Sequence, residues 1–419
     1  MTKPAGLAAY AAVTVAYWAF MLTDGALRML VLLHFNTLGF SPIQLAYLFV
    51  LYEIAGVVTN LSAGWIAARF GLTSTLYAGL ALQVLALLAL TQLDPAWSIG
   101  ASVVFVMCVQ GLSGVAKDLA KMSSKSAVKL LAPSEDAGLF RWVAVLTGSK
   151  NAVKGLGFLL GAAALALVGF VPAILAMAVL LGLILLVLIV RMPTGLPAGK
   201  KDAKFSEVIS KNPRVNWLSA ARVFLFGARD VWFVVGIPIY FYAVLSDGSP
   251  DSNRTAFFII GIFMALWIIF YGAIQASAPR LLRAKTKSEA TLVGEARFWV
   301  GTLFFVPLVL AFAVWAAGAP SPWLTGLVVL GLLLFGGLFA LNSSLHSYLI
   351  LAFTNSDRVT MDVGFYYMAN AAGRLIGTVL SGLTFQMGGL PATLGTAALM
   401  VALSYLCIGR LTVVQKRFA

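Results

Sequence analysis

The stretch TGSKNAVKGLGFLLGAAALALVGF, Thr147 to Phe170, decides the fold. From Gly155 onward it is apolar enough to lie in hydrocarbon, yet Lys150 and Lys154 occupy its first turns, one helical turn apart. A bilayer crossing needs about 20 largely apolar residues, and this segment has that length. A charged side chain at the centre of a membrane helix costs about 2.5–3.5 kcal/mol on insertion scales. Two ammonium groups on one such helix therefore need compensation from partners, water or ligand.

The same kind of segment recurs along the chain. Of 419 residues, 61% are hydrophobic and 11% charged, with mean hydropathy +0.96; a soluble domain carries roughly 25% charged residues. The sequence predicts an all-α integral membrane protein with about twelve spans, at 8–34, 42–67, 74–92, 97–121, 138–168, 171–191, 216–245, 255–278, 293–317, 322–346, 360–387 and 391–411. The first span reads as a retained helix and not a cleaved signal peptide, because its apolar run continues past Asp24 and Arg28 to Phe35 with no cleavage site after it.

Net charge is +14 with a pI near 9.9, but its distribution argues against nucleic acid. With the N-terminus inside, alternate turns collect Arg69, Lys125, Lys129, Arg191, Lys200, Lys201, Lys204, Lys211, Arg214, Arg280, Arg283, Lys285, Lys287 and Arg358, and the tail adds Arg410, Lys416 and Arg417. The opposite turns hold only Arg254. This positive-inside asymmetry places both termini in the cytoplasm. Cys108 and Cys407 stand alone in apolar helices and His34 and His346 are the only histidines, so neither a disulfide framework, a metal site nor a bound cofactor is expected.

Between the sixth and seventh spans lies RMPTGLPAGKKDAKFSEVISKNPR, Arg191 to Arg214, basic and punctuated by Pro193, Pro197 and Pro213. It divides the chain into an N-terminal half, 1–190, a cytoplasmic linker, 191–214, and a C-terminal half, 215–419. AKMSSKSAVKLLAPS (Ala120–Ser134) aligns without gaps onto ALNSSLHSYLILAFT (Ala340–Thr354), in the fourth and tenth spans. NAVKG at Asn151 matches NAAGR at Asn370, in the fifth and eleventh, and DGALR at Asp24 loosely matches FGARD at Phe226. Two related six-helix halves resemble the plan of the major facilitator superfamily, whose repeats place substrate near the midplane between them. The superfamily's loop after the second helix reads Gly-x-x-x-Asp-Arg-x-Gly; here GWIAARFG, Gly64 to Gly71, has Ala68 in place of the aspartate on which that loop's gating salt bridge rests.

Charges inside the spans mark the candidate site. Asp24 and Arg28 lie one turn apart on the first span, Glu53 on the second, and Lys117 and Asp118 on the fourth, with Lys121 placed toward the basic surface. Lys150 and Lys154 share a face of the fifth span, and Arg222 and Arg229, seven residues apart, share a face of the seventh beside Asp230. Asp362 and Arg374 are on the eleventh. Asp24 with Arg28, or Arg229 near Asp230, can be helix-bracing pairs. As a set, however, Arg28, Lys117, Lys150, Lys154, Arg222, Arg229 and Arg374 outnumber Asp24, Glu53, Asp118 and Asp230 by three. A multiply charged anionic ligand supplies the missing negative charge most economically; Arg offers oxyanions a planar fork and Lys a compact charge.

Asn151, Asn370, Ser343 and His346 supply polar contacts, with His346 serving either as a packing residue or as a ligand contact or proton relay. The tyrosines of FYYM, Phe365 to Met368, read as packing or gate residues. Asp24, Glu53, Asp118 and Asp230 are either charge partners or proton carriers. Gly157 and Gly161, and Gly373 and Gly377, form two GxxxG patterns that predict close helix approach. No Walker-type G-x-x-x-x-G-K-[ST] stretch is present, so the chain reads as a secondary transporter. A membrane enzyme would gather a catalytic cluster at one face, whereas these acids are spread over several helices.

The strings TDGALRMLVLLHF (Thr23–Phe35), GLSGVAKDLAKMSSKSAVK (Gly111–Lys129), TGSKNAVKG (Thr147–Gly155), FLFGARDVWFVV (Phe224–Val235), NSSLHSYLILAF (Asn342–Phe353) and DVGFYYMANAAGRLIG (Asp362–Gly377) closely resemble the ArsJ-type organoarsenical efflux permeases through nearly the whole chain. The resemblance implies export of 1-arseno-3-phosphoglycerate, made by glyceraldehyde-3-phosphate dehydrogenase when arsenate replaces phosphate, and hence arsenate resistance. It also implies a monomer in the inner membrane. It supplies no contact residues. A runner-up is a major facilitator exporter of another organophosphate or organic anion.

Overall fold

The computed structural model describes residues 3–131, 136–192, 210–283, 287–354 and 359–415. Most of the 191–214 linker, and Lys125, Lys129, Lys200, Lys201, Lys204, Lys285, Arg358, Lys416 and Arg417 as side chains, lie outside the described residues, as does the side chain of Ala68. The chain is helical because each backbone N–H and C=O in hydrocarbon has to be satisfied within its own segment; no strand occurs among the described residues.

The first six crossings are α1 (Lys3–Thr37), α2 with α3 (Pro42–Tyr47, Val50–Phe70), α4 (Leu72–Leu90), α5 (Ile99–Leu131), α6 (Asp136–Val168) and α7 (Phe170–Arg191). The seventh is α8 (Pro213–Val231), which continues through a π-helical turn (Trp232–Gly236) into α9 (Ile237–Leu245). Then come α10 (Pro250–Leu281), α11 (Glu289–Ala317), α12 (Pro322–Phe353) and α13 (Val359–Gln415). Among the described residues, eleven stretches are long and apolar enough to cross a membrane, the last covering 54 residues. At 1.5 Å per residue that last stretch is about 80 Å long, more than twice a hydrocarbon core of about 30 Å. It breaks at Gly388 and Gly389, the latter at φ 59°, so it supplies two crossings and brings the total to about twelve.

The π turn was not expected from the sequence. Pro238 has no N–H and its ring displaces the carbonyl four residues earlier, which loosens the helix at Val234. Ile237 N–H reaches Trp232 O, five residues back, and the N–H groups of Val235 and Gly236 donate to Ser381 Oγ on α13, at 3.1 and 3.2 Å.

Both GxxxG patterns make the predicted close approaches. A Cβ on Gly157 would lie 2.3 Å from Leu22 O and one on Gly161 2.2 Å from Ala26 O, so α6 lies directly on α1. A Cβ on Gly373 would lie 2.2 Å from Val223 O and one on Gly377 2.7 Å from Gly227 O, so the first part of α13 lies on α8 in the same way. The fifth crossing on the first and the eleventh on the seventh are one packing solution used twice, as related halves require.

At one end of the bundle Arg214 pairs with Glu289 at 3.1 Å and Gln415 donates to Glu289 at 3.2 Å. Asn212 Nδ2 donates to Phe353 O at 2.9 Å. This basic end gathers the starts of α8 and α11 with the ends of α12 and α13. At the opposite end His34 stacks on Phe170 at 4.0 Å, and Ile43 N donates to Gln386 Oε1 across the two six-helix sets. Toward that end the sets share apolar packing. Met29, Leu33 and Phe158 are buried with Phe233 and Ile237, while Val234 and Val235 are buried with the first six crossings.

The α1–α6 contact is close enough to be tested by one methyl group. Gly161→Ala is expected to cost about 1–3 kcal/mol through overpacking, whereas Gly409→Ala, where nothing lies within 4 Å, costs nothing measurable. Thermal unfolding of the two purified variants in detergent checks this: equal midpoints would mean that α6 does not lie on α1 as described.

Candidate functional site

Four buried carboxylates organise the cations at mid-depth. Tyr52 OH donates to Asp24 Oδ1 at 2.6 Å, and Lys154 Nζ meets Asp24 Oδ2 at 2.6 Å, tying α1 to α3 and α6. Arg28 reaches Glu53 Oε1 at 2.9 Å and Arg374 reaches Glu53 Oε2 at 2.7 Å, so one carboxylate holds guanidinium groups from both six-helix sets. Thr59 donates to Asp118 Oδ2 at 2.5 Å, with Lys117 Nζ 3.8 Å and Lys121 Nζ 3.4 Å from its oxygens. Arg229 Nε pairs with its chain neighbour Asp230 at 2.6 Å.

These pairs differ from two of the sequence expectations. Asp24 and Arg28 share a face but do not bond each other; Asp24 turns to Tyr52 on α3 and Lys154 on α6, and Arg28 turns to Glu53 on α3. Lys121 does not reach the basic surface. Its Nζ turns inward, donates to Asn60 Oδ1 at 2.6 Å and lies 5.5 Å from the Tyr367 ring.

Aromatic faces supply part of the remaining compensation, since a cation is attracted to the ring quadrupole. Lys117 Nζ lies 4.1 Å over the Tyr52 ring and has no hydrogen-bond partner; its 3.8 Å approach to Asp118 is Coulombic contact only. Arg28 lies over Phe49 and Tyr52. Arg222 and Arg229 lie over the same Phe226 ring, at 4.0 and 4.9 Å, which bears out their common face. Tyr366, expected to pack or gate, stacks 4.9 Å from Arg222.

Arg222 differs from the other cations. It is buried, its NH1 donates to Ser343 O at 3.1 Å and Ser343 Oγ at 3.2 Å, and it meets no carboxylate among the described residues. Among the described residues, seven of the interior cations (Arg28, Lys117, Lys121, Lys154, Arg222, Arg229 and Arg374) thus face four carboxylates. The layer is not packed solid: Lys154, Arg374 and Lys121 keep 18, 20 and 22% side-chain exposure at the centre of the bundle.

Of the other sequence candidates, Lys150 lies half-buried one turn from Lys154. Asn151 Nδ2 donates to Gln275 Oε1 at 3.4 Å, and Gln275 Nε2 donates to Ser343 Oγ at 3.2 Å. His346 is fully buried and neither ring nitrogen has a partner; Asn370 keeps an unpartnered Oδ1. Asp362, buried one turn before Tyr366, lies twelve residues from Arg374, about 18 Å along a helix, and has no ion pair with these cations among the described residues.

Sequence reasoning missed Tyr52, Thr59, Gly56 and Gln275. Gly56 faces Arg374 and Asp118: a Cβ there would lie 3.2 Å from the Arg374 NH2. The signal available for Tyr52 was its position next to Glu53, and for Gln275 its place as a lone amide in an apolar span. Among the described residues no cluster of histidine, cysteine and carboxylate side chains could hold a metal ion.

About twelve crossings in two six-helix sets, with a charged layer between them, define a membrane transporter and not an enzyme. A family model described as Major Facilitator Superfamily matches residues 11–350, and the chain belongs to that superfamily. Among solved structures it is similar to the nucleoside transporter NupG, at 17% identity over 97% of this chain and 99% of that one, with a TM-score of 0.69. A bacterial homologue of the iron transporter ferroportin in an inward-facing state gives 14% identity over 97% and 99%, with a TM-score of 0.68. The peptide transporter POT in complex with sulfate gives 13% over 98% and 94%, with a TM-score of 0.72. At these identities the likeness is one of fold. No protein of curated function matches the chain.

Removing one partner of a buried ion pair leaves the other charge uncompensated, at a cost of about 3–5 kcal/mol. Glu53→Gln is therefore expected to lower the thermal midpoint strongly in detergent, and Glu53→Gln with Arg374→Gln to recover part of the loss. Additive losses in the double variant would show that Glu53 and Arg374 are not coupled.

Proposed function

We propose that the chain is a secondary transporter that exports an arsenylated, phosphorylated three-carbon acid, 1-arseno-3-phosphoglycerate, from the cytoplasm across the inner membrane and so confers arsenate resistance. The observation that carries this reading is the imbalance of buried charge: seven interior cations on four carboxylates, with Arg222 on none among the described residues. A multiply charged oxyanion is the ligand such a layer favours, and Arg and Lys are the residues that bind it. The choice of the arseno-ester rests on the family resemblance of the six charge-bearing strings. Pentavalent arsenic presents oxyanion oxygens, which suits a site of guanidinium, ammonium and amide groups without thiolates.

In this reading Lys150, Lys154, Arg222, Arg229 and Arg374 contact the anion first, with Arg28 and Lys117 behind them and Asn151, Asn370, Ser343 and His346 as polar contacts. Asp24, Glu53, Asp118 and Asp230 hold the cations in place when the site is empty. The halves 1–190 and 215–419 rock about the site as a monomer, the linker 191–214 and both termini face the cytoplasm by the positive-inside rule, and glyceraldehyde-3-phosphate dehydrogenase supplies the substrate.

Inside-out vesicles containing the protein, given arsenate, glyceraldehyde 3-phosphate, NAD and the dehydrogenase, are expected to trap arsenic only when all four are present. Uptake from arsenate alone would make this an arsenate carrier. Uptake of other organophosphates but not of the complete arsenate mixture would favour the runner-up. In the same assay Lys154→Ala and Arg229→Ala are expected to abolish uptake while leaving insertion intact; transport retained by both would remove them from the site.

A further inference from the structure

The buried polar groups around Arg222 are unequal in kind, and their inequality restricts what can bind there. Arg222 is 3% exposed and spends NH1 on Ser343, but its Nε–H has no partner. One turn along α12 from Ser343, His346 is 0% exposed with both ring nitrogens unpartnered, and it lies within the field of Arg222. A neutral imidazole offers one N–H donor and one acceptor nitrogen. Asn342, one turn before His346, and Asn370, one turn after Tyr366, each carry an unpartnered Oδ1, and Asn342 is 0% exposed. Buried polar atoms in native proteins are overwhelmingly paired, so this group of orphans on α8, α12 and the first part of α13 calls for a common partner.

The donors left over are the Arg222 Nε–H, one histidine N–H and the Tyr366 O–H; the acceptors left over are the second histidine nitrogen, the Tyr366 hydroxyl oxygen and two amide oxygens. A bare inorganic anion satisfies only the donors. An aliphatic or cationic ligand leaves the donors orphaned. We infer that this cluster is an oxyanion-plus-hydroxyl subsite that takes a hydroxylated organic anion, its oxyanion on Arg222 and its hydroxyl proton on His346 or the asparagine oxygens. The subsite rests on the proposed role in anion transport and adds to it a basis for discriminating among organic anions. It lies two helical turns, about 10 Å, from Arg229 along α8. Besides its role as a polar contact, Ser343 holds Arg222 in place, and its Oγ accepts from Gln275 Nε2, while Gln275 Oε1 accepts from Asn151 Nδ2 on α6. The subsite is thereby tied to the packing of α10 against the first six crossings.

The test is equilibrium binding of glycerol 3-phosphate, its dideoxy analogue propyl phosphate and inorganic phosphate to the full-length protein in nanodiscs, by calorimetry. Because a site built to hydrogen-bond a hydroxyl rejects the analogue that lacks it, the native protein is expected to bind glycerol 3-phosphate at least about tenfold more tightly than propyl phosphate. His346→Phe is expected to bring that ratio close to one, chiefly by weakening glycerol 3-phosphate. His346→Asn, which keeps a donor and an acceptor, should retain part of the preference and shows that the site still folds. Arg222→Met should weaken both organophosphates at least about tenfold. A native ratio near one, a ratio unmoved in His346→Phe, or full binding in Arg222→Met overturns the subsite alone, with anion transport still standing. Absence of binding for all three anions to the native protein overturns the subsite together with the anion reading.

Discussion

Glu53 is the constraint on which the interior depends. Its side chain is wholly buried, and a carboxylate so placed is tolerated only if it is paired and hydrogen-bonded. Two guanidinium groups meet it, Arg28 from the same six-helix set and Arg374 from the other. That single requirement sets α1, α3 and α13 at one depth, and the absence of a side chain on Gly56 leaves room for Arg374 to arrive. It also makes the seam between the sets electrostatic at this level. Any motion that parts α3 from α13 here has to break the Glu53–Arg374 pair or hand Arg374 to another anion.

The rest of the layer follows the same rule with different partners. Asp24 takes Lys154 and the Tyr52 hydroxyl, Asp118 takes Thr59 with two lysines, and the Tyr52, Phe49, Phe226 and Tyr366 rings cover the cationic faces that no carboxylate reaches. On one side of this layer the two sets merge into shared apolar packing through Met29, Leu33, Phe158, Phe233 and Ile237. The charges therefore sit beside an apolar region that both sets share, where a low local dielectric strengthens each ionic contact.

The architecture was legible in the sequence because hydropathy and helix-packing glycines are local signals. A run of some twenty apolar residues can only be a crossing, and Gly157 with Gly161 can only be useful where another backbone comes close. The surplus of interior cations was legible for a similar reason, since a charge in an apolar run is conspicuous wherever it points. What could not be read was the pairing. Nothing in the spacing of Asp24 and Arg28 says that each prefers another helix, nor that Lys121 turns inward to Asn60. Both outcomes depend on which helices neighbour which, at sequence separations from 25 to 130 residues. The π turn at Trp232–Gly236 was hidden for a different reason: Pro238 announces a defect, but whether a helix kinks or widens there depends on neighbours such as Ser381, which accepts from the N–H groups of Val235 and Gly236.

The charge balance also bears on how transport can be driven. Protonating any of the four carboxylates would free one or two cations and raise the interior surplus from three to four, which strengthens anion binding. Binding couplings are reciprocal, so a proton taken up there and the anion would favour one another and travel in the same direction. An inward proton gradient acting through these carboxylates would therefore favour uptake, against the proposed direction of transport. Export is better served by carboxylates that stay ionised and recapture Arg374, Arg28 and Lys154 as the anion leaves. A membrane potential negative inside then supplies about 2.3 kcal/mol per elementary charge per 100 mV to each negative charge moved outward. In the proposed cycle the same four carboxylates that partly offset the cations of the empty site thus displace the anion from it, and the firmness with which Glu53 holds two guanidinium groups is part of what makes release possible.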